Sequence, residues 1–533
     1  MGDNCSKHVK LPEVDGTTFK KYKFPFENLV LQGGGAWGVC QVGALKVLDD
    51  AGILQNIKRF GGTSVGAVVA GLLAVGMAPQ ELADKLNENL KDIAYDKPPS
   101  HWYDLPIPDK YVADIWYLYN LTHKFGIMPG EAFLDWYGKT IEEHLHAKGF
   151  DSLNGDINFW QVYDVLGKEL CTVSYETEFT SEVYSHVKTS PLLEIKKAVR
   201  MSMSIPVIFQ AYQSSFGNIQ PRHIDGGVSA GYPIYCFEGW WLSMDQAKTF
   251  AKRLEGKDAE KKINFLPGVS RKHFDVVGSD EDKEMVREKT VGLAMFTDIH
   301  PGGSSQELFE KRIEECLEEN PKYKEQLEIP STKLANKYHE KQVQLKKTRF
   351  EFAKELEEGF TVGDKIKEVA AAYPDEAEME RIFYELTDEQ MEIISITAGM
   401  DGKPDKEAVF KLLFLDYDGN PTTALASDIY DNQMPLQQAK NDCLKGNFAE
   451  TPMELYGQFM QFVGKNKPME EYDVGRSVGI NCSYVGMLNF DLETKDKEFL
   501  MAQGAVAALA FLEDWVSKHP ELEEVPVQQT TTA

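Results

Sequence analysis

The chain has little positive charge for its size. Its 533 residues hold 57 lysines and arginines against 84 aspartates and glutamates, a net charge of −27. A nucleic-acid binder needs a basic stripe to neutralise phosphates, and this balance excludes that class. It also argues against unaided binding to strongly anionic membranes. Cysteine is sparse. There are seven, an odd number with no C-x-x-C pair, spaced too irregularly for a disulfide framework. A reducing compartment is therefore expected. The N-terminal stretch lacks the apolar run of a secretory signal, so a cytoplasmic protein is expected. Metal-ligand spacing is missing too. Asp416-Tyr417-Asp418-Gly419-Asn420 opens like a calcium loop, but proline follows where the loop glycine belongs, and the stretch reads as a turn. No metal and no cofactor are expected.

Charge is also absent from Phe60 to Gln80. A membrane span is one reading of such a run. A buried helix behind a tight turn explains it better, because Ala67 to Met77 is rich in small residues. The Met1-Gly2 start with Ser6, Lys7 and Lys10 fits a myristoylation pattern, and Cys5 offers a site for a second acyl chain. Two lipid signals anchor stably and one does not. Asp3, directly after Gly2, counts against acylation.

Two glycine motifs are present. Gly62-Thr63-Ser64-Val65-Gly66 is a G-x-S-x-G pentapeptide, the signature of a serine raised on a strand-to-helix turn. Upstream, Gly33-Gly34-Gly35-Ala36-Trp37-Gly38 follows the apolar run Leu29-Val30-Leu31 and opens a helix. Its backbone N–H groups are suited to one small anion. A nucleophile and a donor nest are the two parts of acyl transfer. The glycine run also fits a dinucleotide fingerprint, which wants an acidic residue at the end of the next strand. That strand, Ile57 to Phe60, runs instead into the serine turn. Asp225-Gly226-Gly227 supplies the carboxylate best placed by pattern to act as a base, with glycines that allow close approach. A histidine triad is the rival, with His223 two residues before Asp225 and His273, His300, His339 and His519 after it.

Taken in order, G-G-G-x-x-G, G-x-S-x-G and D-G-G resemble the patatin-like phospholipase family. Gly126 to Phe133 and Ala198 to Pro206 are similar to further segments of that family, as are Arg476 to Ile480 and Leu488 to Leu492. Gly231-Tyr232-Pro233 departs from the family's Asn-x-Pro. The resemblance implies a three-layer α/β/α core with a mostly parallel central sheet. It implies a dyad of Ser64 and Asp225, an oxyanion hole from Gly33, Gly34, Gly35 and Gly38, and supporting glycines at 62, 66, 226 and 227. The implied activity is hydrolysis of phospholipid or lysophospholipid esters. A neutral-lipid lipase or acyltransferase of the same fold, and a non-catalytic lipid sensor, are the alternatives.

The expected organisation is a polar lead at 1–27, a catalytic core at 28–239, a largely helical insertion or cap at 240–470, a return to the core at 471–516 and a flexible tail at 517–533. Gln306 to Ala372 is charged and helical in pattern, broken at Pro321, Pro330 and Gly363. The insertion is expected to act as a lid or as a surface for a regulatory or oligomeric partner. Trp240 and Trp241 at its start, and the aromatic stretch 101–137, are candidates for lipid contact. The expected partner is a lipid ester met at a transient membrane interface.

Overall fold

The computed structural model describes residues 10–245, 273–297, 304–341 and 469–522, with 343 and 524, apart from gaps at 87, 89–92, 94, 104–107, 216–219 and 277–278. Gly2, Cys5, His300 and Asp416 to Asn420 lie outside the described residues, as does most of the tail.

Strand β1 (Asn28–Leu31) leads through a 3-10 turn into α1 (Gly38–Asp50), and β2 (Arg59–Thr63) into α2 (Val65–Ala74), followed by α3 (Pro79–Leu86). Next come α4 (Asp109–Lys124), β3 (Gly126–Met128), α5 (Glu131–Ala147), α6 (Phe159–Leu166), β4 (Glu169–Glu176) and β5 (Ser181–Ser185). Helix α7 (Ile195–Ser202) precedes β6 (Val207–Phe209), β7 (Tyr212–Gln213), β8 (Arg222–Asp225) and the one-turn α8 (Gly227–Ala230). The chain then runs through α9 (Asp280–Arg287), β9 (Thr290–Phe296), α10 (Ser304–Glu319), α11 (Glu471–Gly475), β10 (Ser477–Asn481) and α12 (Thr494–Lys518).

The main sheet has the order β10-β9-β1-β2-β4-β8-β7, with β5 also on β4. From β10 to β4 every pairing is parallel, while β5, β7 and β8 join antiparallel. This is the mostly parallel α/β core expected. Strands buried on both faces read as continuous apolar runs, which is why Leu29-Val30-Leu31 shows no alternation. Val30, Cys171 and Val173 face a cluster that includes Ile234, Tyr235, Leu242 and Phe274. The opposite face carries α1 and α2, with α12 against α1. Those last two helices cross at backbone contact. A Cβ on Gly43 would lie 1.8 Å from the Met501 carbonyl, and one on Gly504 1.8 Å from that of Cys40.

Several boundaries differ from those in the sequence pattern. The lead is packed: Phe24 and Phe26 are buried, and the Phe26 ring lies 4.8 Å from that of Trp515. Within 240–470, β9 sits in the sheet between β1 and β10, and Arg312 of α10 pairs with Asp514 of α12 at 2.9 Å. The compact unit that does separate is 336–448, of which only the first residues are described. The apolar β9 is thus a core strand, and the charge around it belongs to its solvated neighbours. The final helix, α12, runs past the expected end of the core at 516 and is buried on nearly every side. It is long and apolar enough to cross a bilayer, yet 78% of its apolar window is buried in the protein. Trp240 and Trp241 are half-buried and pack on His273.

Candidate active site

Strand β2 ends at Thr63 and α2 begins at Val65, so the chain turns at a single residue. Ser64 takes φ 54° and ψ −127° to do it. A non-glycine residue there stores roughly 1–3 kcal/mol of strain, held by its surroundings. The flanking glycines are steric necessities. A Cβ on Gly62 would lie 2.4 Å from the Gly66 backbone, and one on Gly66 2.2 Å from the Leu31 carbonyl. The Ser64 N–H donates to Ser202 Oγ at 2.9 Å, and that hydroxyl donates to the Val173 carbonyl.

The glycine loop after β1 packs directly on this turn. A Cβ on Gly33 would be 3.0 Å from Ser64 Cβ, and one on Gly38 would be 2.3 Å from a Val65 methyl. The loop's amides divide into two sets. Gly33 N–H donates to the Gly231 carbonyl at 2.9 Å and Ala36 N–H to that of Met487 at 2.8 Å. Gly38 N–H turns back onto Gly35 and Ala36. Of the four glycines expected to hold an oxyanion, only Gly34 and Gly35 thus keep amides without a protein acceptor among the described residues. Gly33 and Gly38 are committed to holding the loop.

Asp225 ends β8 and is buried. Its Oδ1 accepts the Gly227 N–H at 2.7 Å, and Gly226 is needed because a Cβ there would meet the Val173 carbonyl at 2.3 Å. Oδ2 is buried without a partner of full hydrogen-bond geometry. The Ser64 hydroxyl is nevertheless near enough to pull the carboxyl's pKa down, as the Gly227 amide does. Burial outweighs both and pushes it up to about 6. Catalytic hydrogen bonds are often loose before substrate binds.

Two residues of α7's end tie both groups to one support. Ser202 holds the Ser64 amide by its side chain and the Gly226 amide by its carbonyl, at 3.3 Å. The Ser204 carbonyl accepts the Asp225 N–H at 2.9 Å. Beneath them the buried Arg200 guanidinium donates to Ser204 Oγ and to the carbonyls of Pro129 and Gln210. In the sequence this segment, Ala198 to Pro206, stands out only by its likeness to a family segment. The alternate serines were the available signal. The carbonyls of Gly231 and Met487 left none, because backbone groups carry no residue code.

Among the described residues no histidine bonds to Ser64 or Asp225. His223 lies on the same face of β8 as Asp225, but its ring meets Ser174 at 3.3 Å and Ser214 at 2.9 Å. Burial lowers its pKa to about 4, so it is neutral at physiological pH. His519 is stacked on Trp515, and His273 packs at an angle against Trp240 and Trp241. His339 is exposed at the start of the second unit. The described residues contain no cluster fit to hold a metal ion.

A cavity of about 110 Å³ opens beside Ser64 and Gly35. One face of α2 (Val65, Val68, Val69, Leu72) and one of α1 (Val39, Val42) form its sides, with Phe133, Met203, Ile205 and Phe209 opposite. From Val65 to Leu72 the helix rises about 10 Å. The lining is almost wholly apolar, with Lys85 as its charged member.

Residues 29–236 match the family model described as patatin-like phospholipase. An uncharacterized protein, R571, of Acanthamoeba polyphaga mimivirus is 30% identical over 259 residues, which are 47% of this chain and 75% of that one. The chain belongs to the patatin-like phospholipase family. Within it, the chain is 27% identical over 214 residues to probable lipid hydrolase 463L of Invertebrate iridescent virus 6, covering 39% of this chain and 62% of that one, less than two thirds of the relative's length. A short stretch of 47 residues, 9% of this chain and 3% of the other, is 54% identical to lysophospholipase nte1 of Emericella nidulans. Membership of this family and the names of these relatives support lipid hydrolysis.

Proposed function

We propose that the protein is a serine acyl hydrolase that releases ester-linked fatty acids from phospholipids or lysophospholipids, with Ser64 as nucleophile and Asp225 as its base. One arrangement supports this most: a buried carboxyl with its pKa raised to about 6, beside a serine on a strained turn, at the head of an apolar cavity. A base poised near the working pH transfers protons best.

Asp225 takes the Ser64 hydroxyl proton as Oγ bonds to the ester carbonyl carbon. The carbonyl oxygen, now negative, accepts from the Gly34 and Gly35 amides, each worth about 3 kcal/mol in the transition state. The C–O bond to the glycerol side breaks and the leaving alkoxide takes the proton from Asp225. Water, giving a proton to Asp225, then bonds to the acyl carbon; the C–Oγ bond to Ser64 breaks, Oγ takes that proton back from Asp225, and the fatty acid is freed. The acyl chain lies along α2 in the cavity. These steps call on no metal or cofactor. The proposal extends to a cytoplasmic enzyme that meets membranes transiently, with a regulatory or oligomeric partner acting through 240–470.

Labelling with a fluorophosphonate, followed by peptide identification, tests the nucleophile, with fatty-acid release from phosphatidylcholine and lysophosphatidylcholine followed in parallel. The probe is expected on Ser64. Labelling elsewhere, with esterase activity surviving Ser64→Ala, overturns the reading.

A further inference from the structure

Helix α4 buries a stripe made by Val112, Trp116 and Asn120, spaced four residues apart. Its opposite side is apolar as well. Tyr111, Ile115, Leu118, Tyr119, Leu121 and the C-cap Phe125 are all exposed. Among the described residues no other helix or strand carries more than two exposed large apolar side chains. A contiguous apolar surface of this kind marks an interaction site.

The backbone at its end is held under strain. Phe125 has φ 60° and Val207 has φ 71°, the latter an outlier for a β-branched residue. The β3–β6 ladder sets them side by side, because Gly126 pairs with Val207. Both side chains stay in water, Phe125 at 68% exposure and Val207 at 41%. Strained backbone that presents apolar groups to solvent points to function rather than packing. From this corner the apolar surface runs inward, since Ile205 and Phe209, on either side of Val207, line the cavity beside Ser64. The rim carries both signs of charge. Lys124 and Asp114 are exposed and form no ion pair among the described residues.

We propose that α4 with the Phe125–Val207 corner is the surface by which the protein docks on a zwitterionic lipid bilayer, bringing the acyl cavity to the membrane. Three observations select that occupant: the face continues into the cavity wall, its rim can meet both charges of a zwitterionic headgroup, and the net charge of −27 disfavours an anionic surface. An interfacial helix beds its apolar side about 5–10 Å deep, at the boundary of headgroups and acyl chains. The inference rests on the lipid-hydrolase reading, and the test separates the two.

Full-length Ser64→Ala protein is floated with phosphatidylcholine vesicles, with and without Leu118→Asp and Phe125→Asp. Aspartate tolerates the positive φ at 125. The paired changes are expected to weaken vesicle binding at least about tenfold. In the active chain they are expected to leave Tm and the hydrolysis of a soluble short-chain ester unchanged. Failure of the Ser64→Ala protein to bind these vesicles, or equal binding by the substituted one, overturns the docking surface. So does a wild-type dimer that the two changes dissociate while vesicle binding persists, because the face then covers a second copy. Loss of vesicle binding on substitution, in a chain that cleaves no ester, upholds the surface and removes the hydrolase reading.

Discussion

Helices α12 and α4 are both rich in apolar residues, but they use them differently. Helix α12 packs Leu500, Leu509, Phe511 and Leu512 into the core and crosses α1 at backbone contact through Gly504. Helix α4 is shorter and leaves Ile115, Leu118 and Phe125 in water. Apolar content alone does not place a helix. Gly504 lets a neighbour's backbone approach α12, whereas α4 keeps large apolar side chains on a face that nothing among the described residues covers. The active site lies on the side governed by the first kind of packing, so changes there should disable the protein while changes on α4 should redirect it.

The sharpest contrast comes from the dyad. Ser64→Ala should lower ester hydrolysis by about 10⁴-fold or more and leave the fold intact, and Asp225→Asn should fall in the same range. Steady-state rates with a soluble ester measure it; near-normal activity in Asp225→Asn would remove the dyad. Next is the helix crossing. Gly504→Leu should destabilise by about 3 kcal/mol or more, because a side chain must displace the α1 backbone. Urea unfolding reads this out, and a change below about 1 kcal/mol would mean that the crossing yields.

Asp225 should also set the pH response. Because burial raises its pKa to about 6, kcat/KM should climb as pH passes through about 6. Stability should run the other way. The folded carboxyl binds its proton more tightly than the ordinary 3.8, so its contribution is full below that pH and lost as pH rises through about 6. The loss reaches at most about 3 kcal/mol. Asp225→Asn should flatten that slope in thermal melts taken between pH 4 and 7. A smaller effect is expected at Ser202. Its removal orphans the Ser64 amide, a cost of about 1–3 kcal/mol, and should reduce kcat about tenfold or more with KM nearly unchanged. Smallest of all, Leu118→Ser on α4 should move stability by less than about 0.5 kcal/mol in the same melts.

The sequence made the chemistry legible where residue identity is forced by geometry. Gly62, Gly66 and Gly226 tolerate no Cβ, and Ser64 and Asp225 are marked by them. The parallel sheet was readable from β1, since a strand buried on both faces shows an unbroken apolar run. That the amides of Gly33 and Gly38 are occupied could not be read from the sequence, because their hydrogen bonds end on carbonyls, which any residue supplies. Strand β9 carries no such mark: a short apolar run fits either a buried strand or a helix segment, and its partners are far off in sequence. The two sides of α4 could not be told apart for want of any signal naming its neighbour.

Those distant partners govern how the site comes into being. The indole of Trp37, in the glycine loop, donates to the carbonyl of Val485, 448 residues further along, and Ala36 leans on Met487 in the same way. Contacts that span so much chain are slow to form and close late. A nascent chain can carry Ser64 and Asp225 well clear of the ribosome and still lack the brace behind its donor loop. A truncated or half-made copy without Val485 and Met487 therefore lacks the brace behind its glycine loop.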